Sequence, residues 1–180
     1  MKKFLAVLLM LAMLLCGAAF AEDTAPALTK DVVVLFTSDV HCGIDQGWGY
    51  AGVANMRNSL QADNHVVLVD DGDAIQGETI GTLTKGSAII ELMNAVGYDI
   101  AIPGNHEFDY RSGGLADMLK TAKNSGETVP ELVVCNVDWD AMEKEGLSKG
   151  QKQIESAFET YGVKDYVVVQ KGGVKIAVLG

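Results

Sequence analysis

Residue types that can form a metal centre or act beside one follow three apolar stretches of this sequence. They are Asp39, His41, Asp73, Asn105 and His106. In α/β sheets the carboxyl ends of the strands open onto the ligand crevice, so we expect polar residues at the ends of successive strands to converge. Oxygen donors together with imidazole suit Mn²⁺, Zn²⁺, Mg²⁺, Co²⁺ or Fe²⁺, and the absence of thiolates argues against a structural zinc site. The set therefore predicts a catalytic centre with two divalent metal ions.

The spacing within the first two segments indicates how each can hold an ion. Residues i and i+2 of an extended segment face the same side, so Asp39 and His41 can bind one ion. Gly72 provides a tight turn before Asp73, whose two oxygens can bridge ions at the roughly 3.5–4 Å that two-metal hydrolysis uses. Alone, the first segment favours a solvated turn and the second an acidic turn. Their shared position after apolar stretches favours a metal site.

The third segment, which runs from Gly104 to Asp109, carries the sharpest signal. Asn105 can bind metal through its amide oxygen, while His106 can face the substrate and be oriented by Asp109. A histidine paired with a carboxylate is a standard general-acid or charge-stabilising arrangement. A hydrogen-bonded loop histidine is the alternative, and the presence of all three segments in this order favours the catalytic role.

The elements that must position these residues alternate between strand-like and helical patterns. Strands are predicted at residues 32–36, 66–69, 100–102, 132–134, 167–169 and 174–179. Apolar spacings of three and four predict helices around residues 53–60, 89–96 and 115–122, and a weaker one at 151–161. Ser87 is the predicted N-cap of the second helix, and Gly97 its end. This alternation predicts an α/β fold.

The amino-terminal segment has the features of a secretory signal peptide. Lys2 and Lys3 precede an apolar run that is shorter than the roughly 20 residues of a membrane span, and residues 19–21 read Ala-Phe-Ala. We expect residues 1–21 to be removed, residues 22–30 to form a flexible lead-in, and the protein to be extracellular, periplasmic or in the cell envelope. Export would allow Cys42 and Cys135 to pair, and the sequence leaves that open.

The charge of the exported chain limits its partners. Lys2 and Lys3 are the only charged residues of the leader, so its removal changes the net charge from −10 to −12. Such a surface repels nucleic acid and anionic membranes, and no stable membrane insertion is expected after cleavage. Bound metal ions reverse the local potential, so a small phosphate ester can still enter the site.

The three segments together resemble a known family. Asp39-x-His41, Gly72-Asp73 and Gly104-Asn105-His106-Glu107 resemble the first three motifs of the calcineurin-like metallophosphoesterases, and their extended forms resemble the exported 5′-nucleotidases. The resemblance implies an α/β/β/α sandwich. Because the chain stops as the last predicted strand ends, we expect residues 31–180 to hold only the amino-terminal part of that catalytic domain.

The resemblance also implies a role for each metal-binding residue. Asp39 and His41 would bind the first ion, Asp73 would bridge both ions, and Asn105 would bind the second. Together these four side chains would hold both ions.

The resemblance further implies which histidines act in the site. His106 would be the catalytic histidine, paired with Asp109. The family completes its two metal sites with later histidines, in a Gly-His and a Gly-His-x-His segment. Outside the motifs this sequence contains one further histidine, His65, between the first predicted helix and the second predicted strand. We expect His65 to be a surface residue and the second metal site to be incomplete in these 180 residues.

These observations favour an exported, metal-dependent phosphoester hydrolase resembling 5′-nucleotidases, with small phosphate esters such as nucleotides as substrates. A cyclic-nucleotide phosphodiesterase or a nucleotide-sugar pyrophosphatase can use the same centre, since substrate choice lies elsewhere. A non-catalytic exported module that binds metal or a phosphorylated ligand is the alternative from another class.

Overall fold

The computed structural model describes residues 29–180. The predicted signal peptide, residues 1–21, and most of the predicted lead-in lie outside the described residues. Within the described part of the chain, no helix combines the length and the apolar character that crossing a membrane requires.

A four-stranded parallel sheet forms the centre of the molecule. Its strands, in spatial order, are β1 (Val32–Thr37), β2 (His65–Asp70), β3 (Ile100–Ala101) and β4 (Glu131–Leu132). β1 and β2 pair along their whole length, whereas β2 and β3 pair only at the carboxyl end of β2. Because all four strands run in the same direction, the loops that follow them emerge at one edge of the sheet.

Six α-helices connect or follow these strands. They are α1 (Gly49–Gln61), α2 (Thr79–Thr84), α3 (Ser87–Val96), α4 (Arg111–Asn124), α5 (Trp139–Glu145) and α6 (Lys149–Tyr161). The main core is formed by buried apolar residues of α3, α4 and α6 together with Leu68 and Leu132 of the sheet. A capping box begins α6, where Ser148 Oγ accepts from the Gln151 amide and Gln151 Oε1 accepts from the Ser148 amide.

An antiparallel hairpin, β5 (Tyr166–Lys171) and β6 (Val174–Leu179), packs on a second core. That core consists of the buried residues Ile100, Val133 and Val167. The Cys135 amide also donates to the carbonyl of Gly180 at 2.9 Å, which ties the end of β6 to the segment after β4. The layers are thus helices, parallel sheet and hairpin, and the predicted α/β class is confirmed.

Several local predictions are wrong in detail. Ser87 is the first residue of α3 rather than its N-cap, which is Gly86, and the Ser87 hydroxyl donates to the Thr84 carbonyl at 3.0 Å. His65 is not in the connection before the second strand: it is the first residue of β2 and is only partly exposed. The short helices α2 and α5 were not predicted, because neither contains enough apolar residues to show a periodic pattern.

The two cysteines of the described part are both free thiols. Cys42 is buried and Cys135 is exposed. Burial raises the pKa of the Cys42 thiol to about 11, so this thiol stays protonated at neutral pH and is a poor nucleophile.

Candidate metal centre

The three predicted segments lie at the carboxyl edge of the sheet, in the loops that follow β1, β2 and β3. Backbone hydrogen bonds join the first two of these loops side by side. The Asp39 amide donates to the Gly72 carbonyl at 3.1 Å and the His41 amide to the Asp73 carbonyl at 2.9 Å. The parallel strands therefore bring together segments that lie more than thirty residues apart in the sequence.

The backbone of these loops is left-handed at four residues that are not glycine. The φ angles are 55° at Asp39, 48° at His41, 62° at Cys42 and 58° at Asp73. The expectation that Asp39 and His41 share one side of an extended segment is therefore wrong. Such a conformation costs free energy for a residue with a side chain, and clusters of it are typical of functional sites.

Two glycines allow the second and third loops to approach each other closely. Gly72 has φ +99°, and a Cβ there would lie 2.5 Å from the Gly104 amide nitrogen. A Cβ at Gly104 would overlap the carboxylate of Asp73. Any side chain at either position would push the two loops apart.

Three side chains form a compact group of metal-ligating type. His41, Asp73 and His106 each offer one ligand atom, and these atoms lie within 4.8 Å of one another. The rings of His41 and His106 meet edge to face, with their centroids 4.9 Å apart. Two ligands on one ion, each at about 2.1 Å, are at most about 4.2 Å apart, so the spacing within this group is close to that around a metal site.

The other predicted ligands, Asp39 and Asn105, lie in the same loops. Asp39 is exposed, and its carboxylate accepts a hydrogen bond from Ser38 Oγ at 2.5 Å. Asn105 is exposed directly before the short 3₁₀ helix His106–Phe108. Both face solvent at the sheet edge, and their ligand roles stay predictions.

Hydrogen bonds place a proton on Nδ1 of both histidine rings. His41 Nδ1 lies 3.1 Å from the Gln76 carbonyl oxygen. Because a carbonyl can only accept, Nδ1 carries a proton, which leaves Nε2 as the ring nitrogen that could bind a metal ion. His106 Nδ1 donates to Asp109 Oδ2 at 2.8 Å.

The same hydrogen bond raises the pKa of His106. The contact with Asp109 is the main cause, burial acts against it, and the negative charges of Asp109, Asp73 and Glu107 add to the increase. In addition, the His106 amide donates to Asp73 Oδ1 at 2.8 Å. His106 is thus oriented by one carboxylate through its ring and by another through its backbone.

Two buried carboxylates lie below the loops, and sequence reasoning assigned neither to the site. Glu107 accepts hydrogen bonds from four backbone amides, and Asp70 accepts from Thr37 Oγ1 at 2.6 Å and from the Gly72 amide at 3.0 Å. The sequence signal for Glu107 is its place in the Gly104-Asn105-His106-Glu107 motif, directly after His106. Acidic side chains are rarely fully buried, so composition gives no reason to expect it.

The site offers a negative potential and room for a small ligand. None of its carboxylates forms a salt bridge with a lysine or arginine of the described residues. One open cleft of about 450 Å³ is lined by His41 and Glu78, and another of about 520 Å³ by Asp39 and Trp48. Imidazole and carboxylate donors without compensating cations fit a divalent metal ion of the first transition row.

Comparison with known proteins agrees with this chemistry. The sequence model of the calcineurin-like phosphoesterase family matches residues 32–174. The chain is 28% identical to the trifunctional nucleotide phosphoesterase protein YfkN of Bacillus subtilis, over 89% of this chain and 12% of that protein. It is 30% identical to a 5′-nucleotidase of Diplobatis ommata, over 93% of this chain and 28% of that protein. The chain thus spans less than a third of the length of these relatives.

Solved structures give the same result. The 5′-nucleotidase precursor from Thermus thermophilus superposes with a TM-score of 0.61 at 25% identity, over 82% of this chain and 27% of that chain. The NAD nucleotidase of Haemophilus influenzae superposes with a TM-score of 0.59 at 26% identity, over 81% of this chain and 25% of that chain. The parallel sheet and its helices therefore match the catalytic fold of this group.

Proposed function

The chain belongs to the calcineurin-like phosphoesterase family, and from this premise we propose that it is part of an exported hydrolase that removes phosphate from nucleotides at a centre of two divalent metal ions. The grouping of His41, Asp73 and His106 supports the proposal most directly. Relatives named as nucleotidases support nucleotides as the substrate class. The apolar leader that ends in Ala-Phe-Ala supports export.

In this proposal four side chains hold the metal ions. Asp39 and His41 would hold one ion, Asn105 would hold the other, and Asp73 would serve both. When bound, two such ions stabilise the charge of an in-line phosphoryl displacement and lower the pKa of the attacking water. Because His41 Nδ1 donates its proton in a hydrogen bond to the Gln76 carbonyl, Nε2 is the nitrogen that would bind the metal ion.

His106 has a separate task in this proposal, which is to supply a proton to the leaving oxygen. Asp109 holds Nδ1–H and raises the pKa of the ring, so the ring carries its second proton on Nε2 to a higher pH than an isolated histidine would. The proton moves from Nε2 to the leaving oxygen of the substrate. Asp109 then stabilises the orientation of the neutral ring.

The experiment is phosphate release from AMP and from bis-p-nitrophenyl phosphate by the full-length protein, with Mn²⁺ or Co²⁺ added. We expect D73N and H106A to lower kcat by at least a hundredfold, as removal of general-acid or metal-bridging groups does. D71N is the matched control, because Asp71 is an exposed carboxylate two residues from Asp73. Full activity in D73N and H106A, or an inactive wild type with Mn²⁺ and Co²⁺, would overturn the proposal in favour of a binding module.

A further inference from the structure

Glu107 is a buried carboxylate whose charge is balanced by the protein backbone alone. Glu107 is 5% exposed, and no salt bridge among the described residues includes its carboxylate. A buried charge is strongly unfavourable unless it is paired or fully hydrogen-bonded. The surrounding amides must therefore supply the compensation.

Four amides from two different loops supply it. Glu107 Oε2 accepts from the amides of Asp73 at 2.9 Å and Gly104 at 2.6 Å. Glu107 Oε1 accepts from the amides of Ala74 at 2.9 Å and Ile75 at 3.2 Å. One oxygen thus joins the loop after β2 to the loop after β3, and the other holds the turn that follows Asp73.

The amides that Glu107 holds belong to the residues that present the ligands. Asp73 keeps a left-handed φ of 58°, which its side chain makes unfavourable in an unrestrained loop. Gly104 directly precedes Asn105, and the Asp73 carboxylate in turn accepts from the His106 amide. The position of Asp73 relative to the third loop therefore depends on the carboxylate of Glu107.

We propose that Glu107 is a positioning residue that locks the two metal-binding loops in register before any ion binds. It acts through the backbone of Asp73 and Gly104 and contacts neither metal nor substrate. This inference rests on the proposed function, because it assumes that Asp73 is a metal ligand. The carboxylate is specific to the role: glutamine has one acceptor oxygen, so its NH₂ group would face two of the four amide donors.

The first test compares Mn²⁺ affinity by calorimetry in wild type, E107Q and D99N of the full-length protein. We expect E107Q to bind Mn²⁺ 10- to 100-fold more weakly, the usual effect of losing a group that orients ligands. D99N is the matched control: Asp99 also accepts from a backbone amide, that of Leu68, but lies at the opposite end of β3. Its affinity should stay within twofold of wild type. An E107Q variant that loses thermal stability but binds Mn²⁺ as wild type does would overturn the proposal.

The second test needs no variant and remains valid if E107Q does not fold. It measures hydrogen exchange at the four amides of residues 73, 74, 75 and 104 in metal-free wild-type protein. We expect strong protection without metal and little further protection with Mn²⁺. Free exchange that slows only on Mn²⁺ addition would show that the ions, not Glu107, set the register. A wild type that shows protected amides but binds no Mn²⁺ would instead contradict the proposed metal centre.

Discussion

Replacement of Asp70 by asparagine should stabilise the fold at neutral pH. Asp70 is 1% exposed, and burial raises the pKa of its carboxyl from 3.8 to about 6, because the charged form loses its hydration. The hydrogen bonds from Thr37 and Gly72 lower that pKa and offset only part of the effect. The carboxylate is therefore held in its charged form at a cost.

Proton linkage gives the size and the direction of this effect. Because the folded-state pKa is the higher one, the folded protein binds more protons between pH 4 and 6 and loses stability as pH rises through this range. At 1.36 kcal/mol for each unit of pKa, the ionised carboxyl costs about 3 kcal/mol at pH 7.5 and less than about 1 kcal/mol at pH 4. Asparagine is neutral at both pH values, and its amide can donate to Thr37 Oγ1 while its oxygen accepts from Gly72.

Urea unfolding in EDTA at pH 4 and pH 7.5 measures the difference. We expect D70N to exceed wild type in free energy of unfolding by about 2–3 kcal/mol at pH 7.5 and by less than about 1 kcal/mol at pH 4. The exposed neighbour Asp71 provides the control, since D71N makes the same chemical change without burial. A D70N protein that is less stable than wild type at both pH values would refute the reasoning.

Three further substitutions test other parts of the structure. D109N removes the main cause of the raised pKa of His106, so an NMR titration of that ring should give a lower pKa than wild type; an unchanged value would contradict the assigned hydrogen bond. S148A removes the N-cap of α6 and should lower the free energy of unfolding by about 1 kcal/mol in urea; no loss would mean that the cap is not formed in solution. G104A places a Cβ against the carboxylate of Asp73 and should weaken Mn²⁺ binding by roughly tenfold or more in calorimetry; unchanged affinity would show that the loops can separate freely.

The sequence predicted the architecture where apolar patterns were long and regular. β6 was predicted with its observed bounds, and the weak helix at 151–161 is most of α6. β3 is shorter than predicted because only Ile100 and Ala101 pair with both neighbours. The third loop still lies where it was predicted. A parallel strand ends at the same edge of the sheet as its neighbours, whatever its length.

The convergence of the three loops was predictable from the sequence, and their local geometry was less so. The convergence of His41, Asp73 and His106 follows from three polar segments after parallel strands. The left-handed backbone at Asp39 and Asp73 could not be predicted, because residues with a Cβ rarely adopt it. It depends on hydrogen bonds between loops, which sequence spacing does not reveal.

Buried charge is the second feature that pattern analysis missed. Glu107 lies in a run of polar residues, and such residues are normally expected to face solvent. Its burial depends on four amides that residues 73–75 and 104 bring to it only in the folded protein. Hydrophobic periodicity carries no information about such a contact.

The most direct test of the central claim is an anomalous difference map from crystals of the full-length protein soaked in Mn²⁺. The account predicts two peaks roughly 3.5–4 Å apart, the separation typical of two-metal sites, with Asp73 between them and His41 bound to one. A map with no peak within bonding distance of Asp73 or His41, at an Mn²⁺ concentration that supports phosphate release, would contradict it.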